Sequence, residues 1–138
     1  MYADHRKWPV LLIADIDSPA PGGDCLTIVA ESVTIDLGNF RIRGRVFIGS
    51  GIIGTDQFSQ NIVVRNGIIT NFENRIFLGR GTTVEGVQAI RNATGIQATG
   101  IVRGNMALDN VRDGIVADNG IVSGNIADGN GINGIRAF

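Results

Sequence analysis

Cysteine, tryptophan, tyrosine and histidine each occur once in this chain, and aromatic residues make up 6% of its 138 positions. A lone Cys25 excludes an internal disulfide framework and reads as an inert, partly buried thiol. Tyr2, His5, Trp8 and the only lysine all fall in the polar stretch Met1 to Trp8. A histidine in a tail lacks the rigid surroundings that general acid-base work needs. The longest useful apolar run, Pro9 to Ala14, is far short of the roughly 20 residues that span a bilayer. It also lacks the small-residue cleavage pattern of a signal peptide. No membrane partner is expected. The formal net charge is -1 and the basic residues are spread along the chain, so no nucleic-acid footprint is visible either. No apolar stripe of 3.6-residue period argues for helices.

What the chain does have is repetition. Val102-Arg103-Gly104-Asn105-Met106-Ala107-Leu108-Asp109-Asn110, followed by Gly114-Ile115-Val116-Ala117, returns as Val122-Ser123-Gly124-Asn125-Ile126-Ala127-Asp128-Gly129-Asn130, followed by Gly134-Ile135-Arg136-Ala137. A weaker copy begins at Val84 and reaches Gly95-Ile96-Gln97-Ala98, giving start-to-start spacings of 18 and 20 residues. Such a period means a solenoid. Leucine-rich repeats would need several leucines per unit, which these lack. Alternating Val, Ile and Ala with Asn and Gly between them reads as three short strands per coil, the Asn and Gly supplying left-handed corners. The expected fold is all-β: a right-handed parallel β-helix of about five to six coils over residues 9–138, roughly 25 to 30 Å long at the inter-strand spacing.

The same grammar runs backwards with larger side chains. Asn61 to Ile69 leads to Phe72 and Arg75-Ile76-Phe77-Leu78, and Ser32 to Gly38 leads to Phe40 and Ile42. Pro9 to Ile16 is expected to be a strand that joins the first coil, Asp17 to Gly23 to form a turn-rich linker, and Ile48 to Gln60 an irregular coil or loop. Taken together, Cys25-Leu26-Thr27-Ile28, Ser32-Val33-Thr34-Ile35-Asp36-Leu37-Gly38-Asn39-Phe40, Asn61-Ile62-Val63-Val64-Arg65-Asn66-Gly67 and the Gly-Asn-x-Ala-x-x-Asn units resemble the right-handed parallel β-helix proteins of the pectin-lyase-like group. The resemblance spans roughly residues 10 to 138. It implies a fold, an extracellular setting and a possible polysaccharide partner, but no single activity, because that group mixes lyases, hydrolases and binders.

Chemistry-bearing motifs are few. Gly49-Ser50-Gly51-Ile52-Ile53-Gly54 has the dinucleotide pattern G-x-G-x-x-G, but a strand rather than a helix follows, so a glycine-rich corner is expected and no cofactor. Asn92-Ala93-Thr94 has the form of a glycosylation sequon, yet Asn92 falls in register with Asn110 and Asn130. These three, and Asn105 with Asn125 at a second corner, are expected to stack as amide ladders, with Asn71 outside the stack. Asp36, Arg65, Glu85 and Arg103 are expected to form an alternating charge ladder on an outer face. Asp109, Asp113, Asp118 and Asp128 read as solvated corner carboxylates. Asp109 and Asp128, diagonal on adjacent coils, are the one pair worth testing for hydrolase chemistry. Phe77 is the one outward aromatic placed on a coil face. No catalytic, cofactor or metal set is assigned. Ile76, Ile96, Ile115 and Ile135 should form one buried column, and Val64, Val84, Val102 and Val122 another. Because nothing polar follows Gly134 to Phe138, the final coil is expected to expose Ile121, Val122, Ile126, Ile132, Ile135 and Phe138 and to associate with another copy. The functional expectation is a non-enzymatic structural or interaction solenoid that self-associates. The alternative is a carbohydrate-active or glycan-binding β-helix.

Overall fold

The computed structural model describes residues 9–18, 23–45, 48–54 and 60–138. The tail with His5 lies outside these, as do residues 19–22 and 55–59. The described residues form strands and turns without a helix. The early strands are short: β1 (Val10–Leu11), β2 (Ile16–Asp17), β3 (Leu26–Ile28), β4 (Thr34–Asp36), β5 (Arg41–Arg43) and β6 (Ser50–Gly54). The middle strands turn corners without losing pairing: β7 (Val63–Thr70), β8 (Asn74–Ile90) and β9 (Ile96–Arg103). Short strands return at the end as β10 (Met106–Leu108), β11 (Ile115–Ala117), β12 (Ile121–Ser123), β13 (Ile126–Asp128) and β14 (Ile135–Ala137).

Every strand pairing is parallel, and the pairings fall into three columns. The first stacks Val10, Ile35, Val64, Val84, Val102 and Val122. The second stacks Ile16, Ile42, Ile69, Ala89, Ala107 and Ala127. The third stacks Leu26, Ile52, Ile76, Ile96, Ile115 and Ile135. The molecule is a parallel β-solenoid. It has about four turns, somewhat fewer than the five to six coils expected.

Both repeat-derived columns are therefore correct in register, and Val64, Val84, Val102, Ile76, Ile96 and Ile115 are fully buried. Ile135 departs from the expectation of burial. It is 42% exposed, because no further rung of the described chain covers it. The core also narrows along the stack: Leu37, Ile42, Ile69 and Phe72 fill the early coils, whereas Ala89, Ala98, Ala107 and Ala117 suffice later. Small and large residues alternate where coils press together. A Cβ on Gly67 would meet Leu37 Cβ at 2.2 Å, so the glycine on one coil is the space the leucine of the previous coil occupies.

Of the stretch Ile48 to Gln60, expected to be irregular, Ser50–Gly54 is regular, and residues 55–59 lie outside the described residues. Ser50–Gly54 is a strand that pairs with both β3 and β8, and Ile52 is wholly buried. Gly51 fits because a side chain there would run into Ile69 Cγ2 at 2.6 Å and the Phe72 ring. Gly51 thus serves close packing within a strand, whereas Gly49, just before it, takes a left-handed bend with φ 84°.

Candidate functional site

The corners contain the most ordered polar chemistry, and they use two residues each. Left-handed backbone falls on Arg91, Gly104, Asp109, Gly124 and Gly129, with φ between 53° and 65°. The stacked asparagines are the next residues along: Asn92, Asn105, Asn110, Asn125 and Asn130. Glycine and asparagine do supply left-handed corners, as at Gly104, Gly124, Gly129, Asn66 and Asn71, but the stacked asparagines are not among them. A left-handed residue turns the chain, and the asparagine after it points inward to tie the coils.

Each tie has the same form. Asn110 Nδ2 donates to the Ala89 carbonyl at 3.1 Å and to Asn130 Oδ1 at 2.8 Å, while Asn110 Oδ1 accepts from the Asn92 backbone N–H at 3.0 Å. At the other corner Asn105 Nδ2 donates to the Val84 carbonyl at 2.9 Å and to Asn125 Oδ1 at 3.0 Å, and Asn105 Oδ1 accepts from the Val87 N–H at 2.9 Å. Asn92 closes the first ladder by accepting from the Phe72 N–H at 3.1 Å and donating to the Ile69 carbonyl at 3.0 Å. Below Asn92 and Asn105 the ladder slots are held by Phe72 and Val87, both buried and apolar. Asn92 is itself fully buried with its amide nitrogen engaged, so this fold leaves no room there for a glycan.

On the outer face of the first column, Asp36, Arg65, Glu85 and Arg103 align as expected. The ladder resolves into two ion pairs, Arg65 Nε to Asp36 Oδ2 at 2.9 Å and Arg103 Nη2 to Glu85 Oε2 at 2.6 Å. The Gly38 backbone N–H donates to Asp36 Oδ1 at 3.0 Å, and it leads Arg65 and Asn66 in holding the Asp36 carboxyl below its usual range. Both pairs are partly exposed, so they fix register more than they add stability. A hollow of roughly 510 Å³ runs beside them, lined by Asn66, Glu85, Gly86, Arg103, Gly104, Ser123 and Gly124.

Asp109 and Asp128 are brought together as the diagonal pair expected. Asp128 pairs with Leu108, and the Asp109 N–H donates to the Asp128 carbonyl at 3.0 Å. Both side chains are exposed, and no cluster of three metal-ligating residues occurs among the described residues. Asp113 corrects the reading of all four aspartates as solvated. It is 6% exposed, accepts from Asn133 Nδ2 at 2.7 Å and pairs with Arg136 Nη2 at 3.0 Å, so it pins the last rung to the one before. Phe77 does take an outward position, between Ile53 and Gln97, but is half-buried. Cys25 is half-buried too, and desolvation first, then the charge of Asp17, pushes its thiol up, away from the reactive thiolate.

One feature escaped the sequence reading, a cleft of roughly 270 Å³ where Arg41, Arg43 and Arg91 surround Thr70 and Asn71. Arg91 lies about two coils beyond Arg43, so their convergence shows once the coils are stacked. The last rung stands open as expected: Ile121 is 64% exposed, Ile126 56%, Ile132 66% and Phe138 70%, while Val122 is half-buried.

Fold and surfaces together define a parallel β-solenoid with asparagine-tied corners. A scan of protein-family models found no match to the chain, and searches of curated proteins and of solved structures found none either.

Proposed function

We propose that this chain is a structural or interaction module, a right-handed β-solenoid of pectin-lyase-like type that performs no catalysis and self-associates through its final coil. The observation that carries this reading is the last rung, where exposed Ile121, Ile126, Ile132 and Ile135 accompany strand edges with no partner among the described residues. An open edge beside apolar side chains is a template for a further β-surface. In the second column Ile16, Ile42 and Ile69 give way to Ala89, Ala107 and Ala127, so the two ends differ in cross-section; this favours a symmetric join of two like ends over head-to-tail growth, and a symmetric join closes. Light scattering on size-exclusion fractions should report a dimer at micromolar concentration. Replacing Ile126 and Ile132 with Lys should return a folded monomer with unchanged β circular dichroism. A wild-type chain that is monomeric at micromolar concentration would overturn the proposal.

The second reading, a glycan-binding or carbohydrate-active β-helix, is favoured by the hollow alongside the Glu85–Arg103 pair. A binding screen against pectin, polygalacturonate and neutral glycans, with and without calcium, tests it. Retention by one of these polymers that Arg103→Ala abolishes would favour it over the first.

A further inference from the structure

We propose that the cleft between Arg41, Arg43 and Arg91 binds a tetrahedral oxyanion, either free phosphate or sulfate or a monoester of one of them. The coil register builds the site. Arg41 and Arg43 stand over Ile68 and Thr70, Thr70 stands over Ile90, and Arg91 follows at the next corner. Guanidinium groups from two coils thus flank the Thr70-Asn71 step of the coil between them.

The donors are in place and uncommitted. Arg43 spends two N–H groups on Asp17, from Nε at 2.9 Å and Nη2 at 3.1 Å, which orients its fork and leaves three of the five donors of a guanidinium. The side chains of Arg41 and Arg91 have no hydrogen-bond or ion-pair partner among the described residues. The Thr70 hydroxyl donates to Asn71 Oδ1 at 3.3 Å, which orients that amide with its nitrogen still available as a donor. Asp15 and Asp17 temper the positive charge, Asp15 by accepting the Arg41 backbone N–H at 2.8 Å and Asp17 by its ion pair. The balance at the cleft stays positive.

Arg91 adds an independent indication. It holds φ at 56°, in a corner column whose other members are Asn71, Asp109 and Gly129. Those three types tolerate left-handed backbone, whereas a long side chain there is uncommon. An arginine kept in the costly conformation fits a residue held for its charge.

Geometry and size choose the ligand. A planar carboxylate is satisfied by one guanidinium fork, whereas guanidinium donors arriving from three separate residues suit a group with three or four acceptor oxygens. The roughly 270 Å³ of space falls below the range of about 300–1,000 Å³ typical of larger organic ligands. Ile68 and Ile90 offer an apolar wall to a small carrier.

The test is an amide chemical-shift titration of the full chain at constant ionic strength with sodium phosphate, sodium sulfate, phenyl phosphate and sodium acetate. Saturable shifts are expected at Thr70, Asn71 and Arg91 for the first three, with acetate about ten-fold weaker or worse. Phenyl phosphate binding more tightly than phosphate would assign the site to an ester, and the reverse order to the free ion. The variant Arg91→Gly removes the guanidinium yet suits the left-handed corner, so it should keep or raise the melting temperature while affinity falls about ten-fold or more. Arg41→Gln should weaken binding similarly, and Arg103→Gln, on another face, should leave it intact. Shifts that rise linearly without saturation, acetate binding as well as phosphate, or wild-type affinity in Arg91→Gly would each overturn the proposal.

Discussion

Replacing Asn110 with alanine removes one buried amide and strands the Asn92 N–H. The Ala89 carbonyl loses its 3.1 Å donor and the Asn92 N–H its 3.0 Å acceptor, and both residues are fully buried. An orphaned buried polar group costs about 1–3 kcal/mol, so Asn110→Ala should lose about that much, toward the smaller figure where a water enters the vacated space. With a urea slope of about 1–3 kcal/mol/M for a small domain, the unfolding midpoint should drop by about a molar unit. Asn110→Asp sharpens the argument, because it keeps the acceptor for Asn92 but turns a second oxygen toward the Ala89 carbonyl and Asn130 Oδ1. Burial and those facing oxygens would raise the folded-state pKa of the new carboxyl. A raised pKa means that its destabilisation is greatest at neutral pH and is relieved as pH falls through that folded value toward the unfolded value of about 3.9. Protonated, the acid can donate again. The suitable control is Asn71→Gly, since Asn71 has φ 63° and alanine would add strain of its own. Asn110→Ala within 1 kcal/mol of wild type, or a pH-independent deficit for Asn110→Asp, would refute the ladder as an energetic device.

Ile115→Ala should cost about 2–4 kcal/mol through the cavity it leaves, read by the same urea unfolding. Gly67→Ala should destabilise by about 1–3 kcal/mol or more through overpacking against Leu37, and combining it with Leu37→Ala should recover part of the loss in a double-mutant cycle. Asp36 has a lowered pKa, so its contribution is present above the unfolded value of about 3.9 and is lost as pH falls through the folded one. Carbon-detected titration should find its midpoint below that of an ordinary aspartate, and the stability difference between wild type and Asp36→Asn should shrink on acidification.

The columns were legible because the repeats conserve apolar spacing coil to coil: Val84, Val102 and Val122 announce their own register. Legibility faded where one coil answers to another. Ser50 to Gly54 has the glycine content of a loop, and it becomes a strand because Ile69 and Phe72 need the space a side chain would fill, a tertiary demand that overrides local propensity. Asp113 resembles the exposed Asp109 and Asp128 in sequence, and only the stacking of Asn133 and Arg136 on it separates a buried staple from a solvated corner. The arginine cleft was hidden for the same reason. Its members are scattered along the chain and meet by the pitch of the coil, so even charge spacing in one dimension becomes a patch in three.

The ladders also have a direction. Asn92, Asn105 and Asn110 each accept a backbone N–H from the coil before, and Asn125 Nδ2 and Asn130 Nδ2 likewise donate backwards, to the Val102 carbonyl at 2.8 Å and the Ala107 carbonyl at 2.9 Å. A coil is therefore left with open valences at its corners until its successor arrives. For a chain emerging N-terminus first, order would be acquired one step behind synthesis, each new coil acting as the clasp for the one already made, and a pause in elongation would leave a single unfinished coil, not an unravelled rod.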